Sequence, residues 1–248
     1  MERISVYEKL KSEGKVNTLF VIGPTTCFSS WEDEFSETLK RTPKTSILAG
    51  GGKEKRMVSY YPNNDKTREE LLLTSFQTLM NDQDHVVEFL KNPMTKSFVV
   101  VDEAHYIKRL NGRWSNAAMR LALDSDYRCV LTGTPMPRAY SDFFNLFEFL
   151  WPDNSPISDQ TKLLVQAIDT DSSNDQVNKM FDDEVGPLHY RVRKSELKLA
   201  KQNFHDPIIV EQNPIEREIY NAVNDRIVQF AKKDDFLREV NLLEKFRK

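Results

Sequence analysis

The 248-residue sequence predicts an α/β fold: a parallel β-sheet flanked by helices, followed by a mainly helical C-terminal extension. Short apolar runs alternate with helical patterns from residue 4 to about residue 150, which is the order of βαβ units. Val99–Val101 is a β-branched run, typical of a strand buried on both faces of a parallel sheet. After Trp151-Pro152 polar helical patterns replace the strand-like runs, and we therefore expect one domain over 1–152 and an extension over 153–248.

Each predicted strand is a short apolar run that ends at a turn signal or leads towards a helical pattern. The first run ends at Gly23-Pro24, and the second ends at Gly50–Gly52. The five predicted strands are Thr18–Ile22, Ser46–Ala49, Leu71–Thr74, Val99–Val101 and Arg128–Thr132.

Helical spacing and end signals predict the elements between these strands. Ile4, Tyr7 and Leu10 recur at helical spacing, and Ser29 with Glu32 forms a capping-box pattern that begins a second helix reaching about Arg41. The other helices predicted before residue 152 lie near 83–90 and 117–123.

In the extension, Ile208–Val210 is predicted as a last short strand. Asn213 as N-cap, Pro214 at the first helical position and Glu216 three residues past the cap predict a helix. This helix carries an apolar stripe of Ile215, Ile219, Val223, Ile227 and Phe230.

Composition narrows the class of protein. Charged residues make up 29 % and apolar residues 39 %, as in folded globular proteins rather than disordered or membrane proteins. Only Cys27 and Cys129 are present, and we see no signal-peptide pattern and no apolar run long enough for a membrane span. We therefore expect a reducing, intracellular location, cytoplasmic or, in a eukaryote, nuclear.

A net charge of −3 gives no global basic field, so any contact with nucleic acid must come from local patches. Two basic clusters lie near predicted loops, and a solvated surface is an equally good interpretation of each. The clusters are Lys40, Arg41 and Lys44, and Lys53, Lys55 and Arg56.

Two carboxylates follow the Val99–Val101 strand, where open α/β sheets place their ligands. The sequence Asp102-Glu103-Ala104-His105 suits a nucleotide triphosphatase, with Asp102 as the Mg²⁺ ligand and Glu103 as the base that activates water. His105 would relay the nucleotide state to other motifs. A simpler interpretation is an acidic strand end before a solvated loop. The buried strand before the acidic pair and a second motif downstream make this interpretation less favoured.

That second motif is Thr132-Gly133-Thr134-Pro135, at the end of the last predicted strand. Its hydroxyls are expected at the same sheet edge as Asp102, although an ordinary strand-to-turn exit has the same composition. No G-x-x-x-x-G-K-[ST] phosphate loop occurs anywhere in the sequence.

Taken in order, these motifs resemble those of the first RecA-like lobe of superfamily-two helicases, and most closely the Swi/Snf-type DNA translocases. The resemblance covers almost the whole chain. Asp102–Lys108 resembles their extended D-E-A-H-x-x-K motif, and Thr132–Pro135 with Phe143–Pro152 resembles the next motif and its helix. Tyr190–Lys194 resembles the family's arginine-rich segment, and Leu242–Arg247 the segment that introduces a second lobe.

The resemblance also implies a DNA-binding set. The segment Phe20–Thr25, with Trp31 and Phe35 behind it, resembles the motif that grips one strand of the duplex backbone, and Leu73–Leu79 resembles a second DNA-facing segment. The residues implied as DNA-binding are Pro24, Thr25, Thr26, Ser75, Phe76 and Gln77, and those implied in nucleotide–DNA coupling are Thr132, Gly133 and Thr134.

The implied cofactors are ATP and Mg²⁺, and the implied partners are double-stranded DNA and a second RecA-like lobe. In the family the phosphate loop precedes the helix that here starts at Ile4, so we expect a fragment that lacks this loop and the second lobe and that alone has little ATPase activity. Pro137-Arg138 is closer to restriction-type or duplex-remodelling helicases, which remain an alternative. The other alternative is a non-catalytic lobe that binds DNA or a partner.

Overall fold

The chain divides into two compact units, Met1–Arg191 and Val192–Lys248. Whether the functional boundary lies at residue 152 stays a prediction. The computed structural model describes residues 2–64, 67–109, 112–133, 142–168, 179–180, 183–188, 190 and 210–231.

A parallel β-sheet forms the centre of the first unit, as predicted. Its strands are β1 (Thr18–Ile22), β2 (Thr45–Leu48), β3 (Leu71–Thr74), β4 (Ser97–Val101) and β5 (Tyr127–Val130). Their order in space is β2-β3-β1-β4-β5, and every neighbouring pair is parallel. Strands β1, β3 and β4 are buried along their whole length, which is why their sequences are continuously apolar.

The strand predictions are confirmed, with differences at some ends. Strands β1 and β3 have the predicted bounds, whereas β2 and β5 begin one residue earlier, β2 ends at Leu48 before the predicted Ala49, and β4 begins at Ser97. Strand β5 also ends before Leu131 and Thr132, although the backbone of Leu131 still bonds to Val101 and Ala104.

Helices lie on both faces of the sheet. In the first unit they are α1 (Glu2–Ser12), α2 (Phe28–Leu39), α3 (Lys53–Tyr60), α4 (Phe76–Lys91), α5 (Arg113–Ala122), α6 (Asp142–Leu150) and α7 (Asp159–Ile168). Short 3₁₀ turns in the described residues cover Thr25–Cys27, Ala104–Ile107 and Gly186–Leu188. Within the described part of the chain, each helix is too short or too polar to cross a lipid bilayer.

Alternate side chains of the central strands fill two separate cores, one on each face of the sheet. Leu19, Val21 and Val100 pack with α1 and α2, whereas Phe20 and Val99 pack with α3, α4, α5 and α6. This alternation follows from the two-residue period of a strand. A third cluster contains Phe143, Phe144, Phe147, Ile157, Val165 and Val185.

Two helix predictions need correction. The capping box at Ser29 and Glu32 is wrong, because α2 begins at Phe28, directly after the 3₁₀ turn, and Ser29 lies inside the helix. The helix predicted near 83–90 is much longer, since Ser75 caps α4 by accepting a hydrogen bond from the Thr78 backbone N–H at 3.1 Å.

Two further differences concern α3 and α5. The Lys-rich segment of α3 was not predicted as a helix, and α5 begins at Arg113, four residues before the predicted start.

The described part of the second unit is α8 (Pro214–Ala231) with the four residues before it. Asn213 Oδ1 accepts from the Glu216 backbone N–H at 2.9 Å, and Glu216 Oε2 accepts from the Asn213 N–H at 3.0 Å, which confirms the predicted start. Ile215 and Ile219 are 70 % and 61 % exposed. The predicted strand at Ile208–Val210 lies outside the described residues except for Val210.

A charged cluster joins α1, α2 and β3 at the amino edge of the sheet. Glu70, directly before β3, accepts hydrogen bonds from Arg41 at 2.7 and 2.8 Å and from Lys11 at 2.5 Å. Partial burial raises the pKa of Glu70, but these hydrogen bonds outweigh it and hold the pKa below the ordinary value of 4.5.

Glu70→Gln is therefore expected to lower stability in a pH-dependent way. A carboxylate with a depressed folded-state pKa stabilises the protein above its unfolded pKa, and this stability is lost as the pH falls through the folded pKa. Urea unfolding from neutral to acid pH should show the wild type losing its advantage over Glu70→Gln below about pH 4.5. Glu37→Gln, at an exposed position of α2, is the control; an equal pH trend in both variants would contradict the prediction.

Candidate active site at the carboxyl edge of the sheet

Backbone hydrogen bonds extend the sheet one residue beyond its strands and bring the predicted motifs together. Gly23 N donates to Thr74 O at 3.0 Å, Asp102 N to Ile22 O at 2.8 Å, and Leu131 N to Val101 O at 2.8 Å. The ends of β3, β1, β4 and β5 therefore lie side by side, with Asp102 between Gly23 and Leu131.

The Asp102 carboxylate is half-buried and held by two hydrogen bonds. Its Oδ2 accepts from Trp31 Nε1 at 2.8 Å, and its Oδ1 accepts from the Glu103 backbone N–H at 2.9 Å. The guanidinium of Arg3, a residue of α1, lies 4.4 Å from the centroid of the Trp31 ring. Sequence reasoning placed Trp31 only in a DNA-gripping motif; its partner could not be found because the two residues are far apart in the chain.

Glu103 has a left-handed backbone, with φ +50° and ψ +48°. For a residue with a Cβ this conformation costs about 1 to 2 kcal/mol. Ala104 fixes the turn that follows, because it is fully buried and its N–H donates to Leu131 O at 2.8 Å. The turn leaves the Glu103 side chain 40 % exposed, and His105 Nδ1 lies 3.0 Å from Glu103 Oε2.

An aromatic cluster continues from His105 to the first residue of α4, Phe76. The ring centroids of His105 and Tyr106 are 4.4 Å apart, and Tyr106 lies 5.3 Å from Phe76 and 5.6 Å from Trp114. Phe76 and Trp114 stack at 5.6 Å. The cluster connects the acidic turn with the Ser75–Gln77 segment.

The residues implied as DNA-binding fall into exposed and buried groups. Thr25 and Thr26 are exposed in the 3₁₀ turn between β1 and α2, after a half-buried Pro24. Gln77 is exposed and Ser75 half-buried, but Phe76 is only 4 % exposed. The turn and the Ser75–Gln77 segment follow neighbouring strands, and a DNA contact by these residues stays a prediction.

Ion pairs occupy several members of the two basic clusters. Arg41 binds Glu70 and Glu8, and Arg56 binds Asp82. Lys44 pairs with Glu69 and donates to the Thr67 carbonyl at 2.7 Å. The other exposed lysines of the two clusters are Lys40, and Lys53 and Lys55 at the start of α3.

The other chemistry-bearing side chains near this edge do not suggest a second mechanism. Burial, followed by the nearby Asp102 carboxylate, raises the pKa of the Cys27 thiol, and burial raises that of Cys129 to about 11. Both cysteines are free. The described residues contain no group of three or more His, Cys, Asp or Glu side chains arranged to hold a metal. Of the coupling residues, Thr132 and Gly133 follow Leu131 at this edge, and Thr134 lies outside the described residues, as do Pro135 and Pro137-Arg138.

Gly23 is required for the close approach of β1 to Asp102. A Cβ atom at Gly23 would lie 3.2 Å from Asp102 Cβ and 3.6 Å from its carbonyl oxygen. We expect Gly23→Ala to displace Asp102 and to lower the free energy of unfolding by about 1 to 3 kcal/mol, measured by urea unfolding. Gly133→Ala is the control, since among the described residues its Cβ would meet no atom within 4 Å, and the prediction is wrong if the two variants are equally stable.

A parallel sheet flanked by helices, with the predicted motifs at its carboxyl edge, defines an α/β domain of the RecA-like class. The chain belongs to the SNF2-related domain family, because the sequence model of that family matches residues 1–246. This confirms the family inferred from the motifs.

Comparison with curated proteins finds similar segments in much longer chains. The mouse (Mus musculus) DNA excision repair protein ERCC-6-like is 23 % identical over 92 % of this chain and 18 % of the relative. Zebrafish (Danio rerio) chromodomain-helicase-DNA-binding protein 8 is 24 % identical over 93 % of this chain and 9 % of the relative. The helicase SWR1 of Mycosarcoma maydis is 33 % identical over 54 % of this chain and 7 % of the relative. The chain thus spans less than a fifth of each.

Two solved structures share the fold. The Sulfolobus solfataricus SWI2/SNF2 ATPase core domain matches 92 % of this chain and 44 % of its own, with 19 % identity and a TM-score of 0.57. The same core in complex with dsDNA matches 79 % of this chain and 38 % of its own, with 21 % identity and a TM-score of 0.57.

Proposed function

We propose that this chain is the first motor lobe of an ATP-dependent DNA translocase, in which ATP hydrolysis drives movement along duplex DNA. The observation that supports this most is the position of Asp102 and Glu103 at the carboxyl edge, one strand from the exposed Thr25–Cys27 turn. An acid pair for nucleotide chemistry and a turn suited to a nucleic-acid backbone are therefore neighbours.

Asp102 fits a magnesium ion. Its carboxylate supplies the hard oxygen ligands that Mg²⁺ prefers, and one or two carboxylates commonly suffice when phosphate oxygens and water complete the shell. Bound with ATP, Mg²⁺ would neutralise the charge that develops on the phosphates. Trp31 and the Glu103 backbone would keep the Asp102 carboxylate oriented through their hydrogen bonds.

Glu103 would orient the attacking water and accept its proton, for which its partly exposed carboxylate is suited. His105, close to both Glu103 and Tyr106, would relay the nucleotide state. Thr132, Gly133 and Thr134 would couple that state to DNA. The bond from the Ala104 N–H to Leu131 O supports this role, because it ties their segment to the acidic turn.

Duplex DNA would be held through its phosphates by Thr25, Thr26, Ser75 and Gln77, and Pro24, which has no N–H to donate, would contact the DNA backbone without a hydrogen bond. Hydroxyl and backbone N–H contacts to phosphates carry no sequence information, which suits a protein that moves along any sequence. A second RecA-like lobe would complete the ATP site. A duplex-DNA substrate implies a cytoplasmic or nuclear location.

ATP turnover tests the proposal. It is measured for the longest reading frame that contains residues 1–248 and for this chain alone, with and without duplex DNA of mixed sequence. We expect DNA to stimulate the longer protein and the chain alone to show little turnover, because its sequence has no phosphate loop. DNA binding without turnover in the longer protein would favour a non-catalytic lobe. Strand separation in the same reaction would favour the duplex-remodelling helicase alternative.

A further inference from the structure

Trp31 is a large buried side chain with a polar group at a defined place. Its side chain is 1 % exposed, and its indole N–H donates to Asp102 Oδ2 at 2.8 Å. A buried indole N–H needs a hydrogen-bond partner, and a backbone carbonyl would meet that need. Here the partner is a carboxylate at the candidate active site.

The surroundings of Trp31 fix its ring. Phe28 and Phe35, about one turn before and one turn after Trp31 on the same face of α2, are 5 % and 0 % exposed in the same core. The Arg3 guanidinium lies over the ring at 4.4 Å, and its Nη2 also binds Glu34 Oε2 at 2.5 Å. Neighbours on α1 and α2 therefore leave the indole little freedom to follow Asp102 if that carboxylate rotates.

We propose that Trp31 is a positioning residue that holds the Asp102 carboxylate in one orientation for a divalent cation. This inference rests on the proposed function, since it takes Asp102 as the metal ligand. The Oδ2–indole bond and the Oδ1–backbone bond each leave lone pairs on the carboxylate for a cation. Groups that hydrogen-bond to a ligating carboxylate typically change metal affinity 10- to 100-fold when they are removed.

The same side chain links the cation to the turn suited to DNA. Trp31 lies on the first turn of α2, which directly follows the Thr25–Cys27 turn. A displacement of that turn by DNA would move the indole donor relative to Asp102. The consequence is that the orientation of the metal ligand depends on the position of α2.

Trp31→Phe isolates the indole N–H, because it retains an aromatic ring and removes the donor. Mn²⁺ with ATP is the probe, because phosphate oxygens complete the shell of the cation, and Mn²⁺ binding to the longest reading frame that contains residues 1–248 is measured by electron paramagnetic resonance. We expect Trp31→Phe to weaken Mn²⁺ binding about tenfold relative to the wild type, with an unchanged circular dichroism spectrum. Trp151→Phe, which removes an indole that stacks on Phe147, is the matched control and should bind as the wild type does.

Asp102→Asn separates the two ways in which the idea could fail. If Asp102→Asn weakens binding and Trp31→Phe does not, the positioning role is overturned while the metal assignment stands. If Asp102→Asn binds Mn²⁺ as the wild type does, the metal assignment of the proposed function fails, and the positioning role fails with it.

A second measurement on the wild-type chain applies even where Trp31→Phe does not fold. In a ¹H–¹⁵N spectrum recorded with ATP, added Mg²⁺ should shift the indole signal of Trp31 and leave that of Trp151 in place, and Asp102→Asn should abolish the response. A Trp31 signal that is unaffected by Mg²⁺ would overturn the proposal, since a side chain that only fills the core gives no such response.

Discussion

Asp82→Ala is expected to lower the free energy of unfolding by about 3 to 5 kcal/mol, because it leaves a largely buried guanidinium without its counter-charge. Asp82, on α4, is 1 % exposed. It accepts from Arg56 Nε at 2.6 Å and Nη2 at 3.0 Å, a two-bond pairing, and from the Tyr60 hydroxyl at 3.3 Å. The hydrogen bond with Asp82 raises the pKa of Arg56, so this guanidinium stays charged.

Asp84→Ala is the matched control on the same helix. Asp84 pairs with Arg120, but the two side chains are 71 % and 48 % exposed, and exposed pairs contribute only about 0 to 1 kcal/mol. Urea unfolding of both variants measures the difference. If Asp82→Ala and Asp84→Ala are destabilised equally, burial does not determine the contribution of the Asp82 pair.

The double variant Arg56→Met with Asp82→Leu tests the mechanism. Replacing both partners of a buried pair by apolar side chains of similar size is often neutral, whereas removing one is costly. We therefore expect the double variant to recover most of the stability lost in Asp82→Ala. If it stays as unstable as the single variant, the loss arises from packing and not from an unpaired charge.

The pair also has a local structural role. Arg56 Nη1 donates to the carbonyls of Gly50 and Gly51 at 2.9 and 3.1 Å. Both glycines have positive φ values, which suit residues without a Cβ. The Arg56–Asp82 pair therefore joins the loop before α3 to α4. It also fixes the N-terminal end of α3, where Lys53 and Lys55 are exposed.

This pair shows where sequence analysis succeeds and where it fails. Continuous apolar runs predicted the strands because burial on both faces of a sheet allows few polar residues. Arg56, by contrast, was grouped with neighbouring lysines as a basic patch, since a linear pattern shows charge but not partners. Its partner Asp82 lies 26 residues away on a helix whose first half was not predicted.

The candidate site was predictable in a similar, partial way. Asp102 and Glu103 were found because an acidic pair directly after an apolar strand is a local pattern. Trp31 as a partner of Asp102 was not found, because the contact depends on how α2 packs beside β4. Phe76 was placed in a DNA-facing segment from its motif alone, and its burial depends on the long-range stacking with Trp114.

Glu103→Gln is expected to reduce DNA-stimulated ATP turnover by about 10²- to 10⁴-fold while leaving the fold intact. Glutamine keeps the size of the side chain but cannot accept the proton of an attacking water. The bond from the residue 103 backbone N–H to Asp102 Oδ1 does not depend on the side chain, so the orientation of Asp102 should be retained.

The measurement uses the longest reading frame that contains this chain, with steady-state turnover, ATP binding and urea unfolding determined on the same preparation. The Glu103 side chain is 40 % exposed, and substitutions at such positions usually change stability by less than about 0.5 kcal/mol. A loss of turnover with normal stability and normal ATP binding therefore identifies a chemical role. Glu37→Gln controls for the loss of one surface charge.

Stability also distinguishes the catalytic interpretation of Glu103 from a structural one. The left-handed backbone of residue 103 is unfavourable for glutamate, and such strain at a non-glycine residue is typical of functional sites. Glu103→Gly should relieve the strain, so we expect it to be at least as stable as the wild type and as inactive as Glu103→Gln. If Glu103→Gly is destabilised and Glu103→Gln keeps turnover within about tenfold of the wild type, Glu103 serves the fold and another group must act as the base.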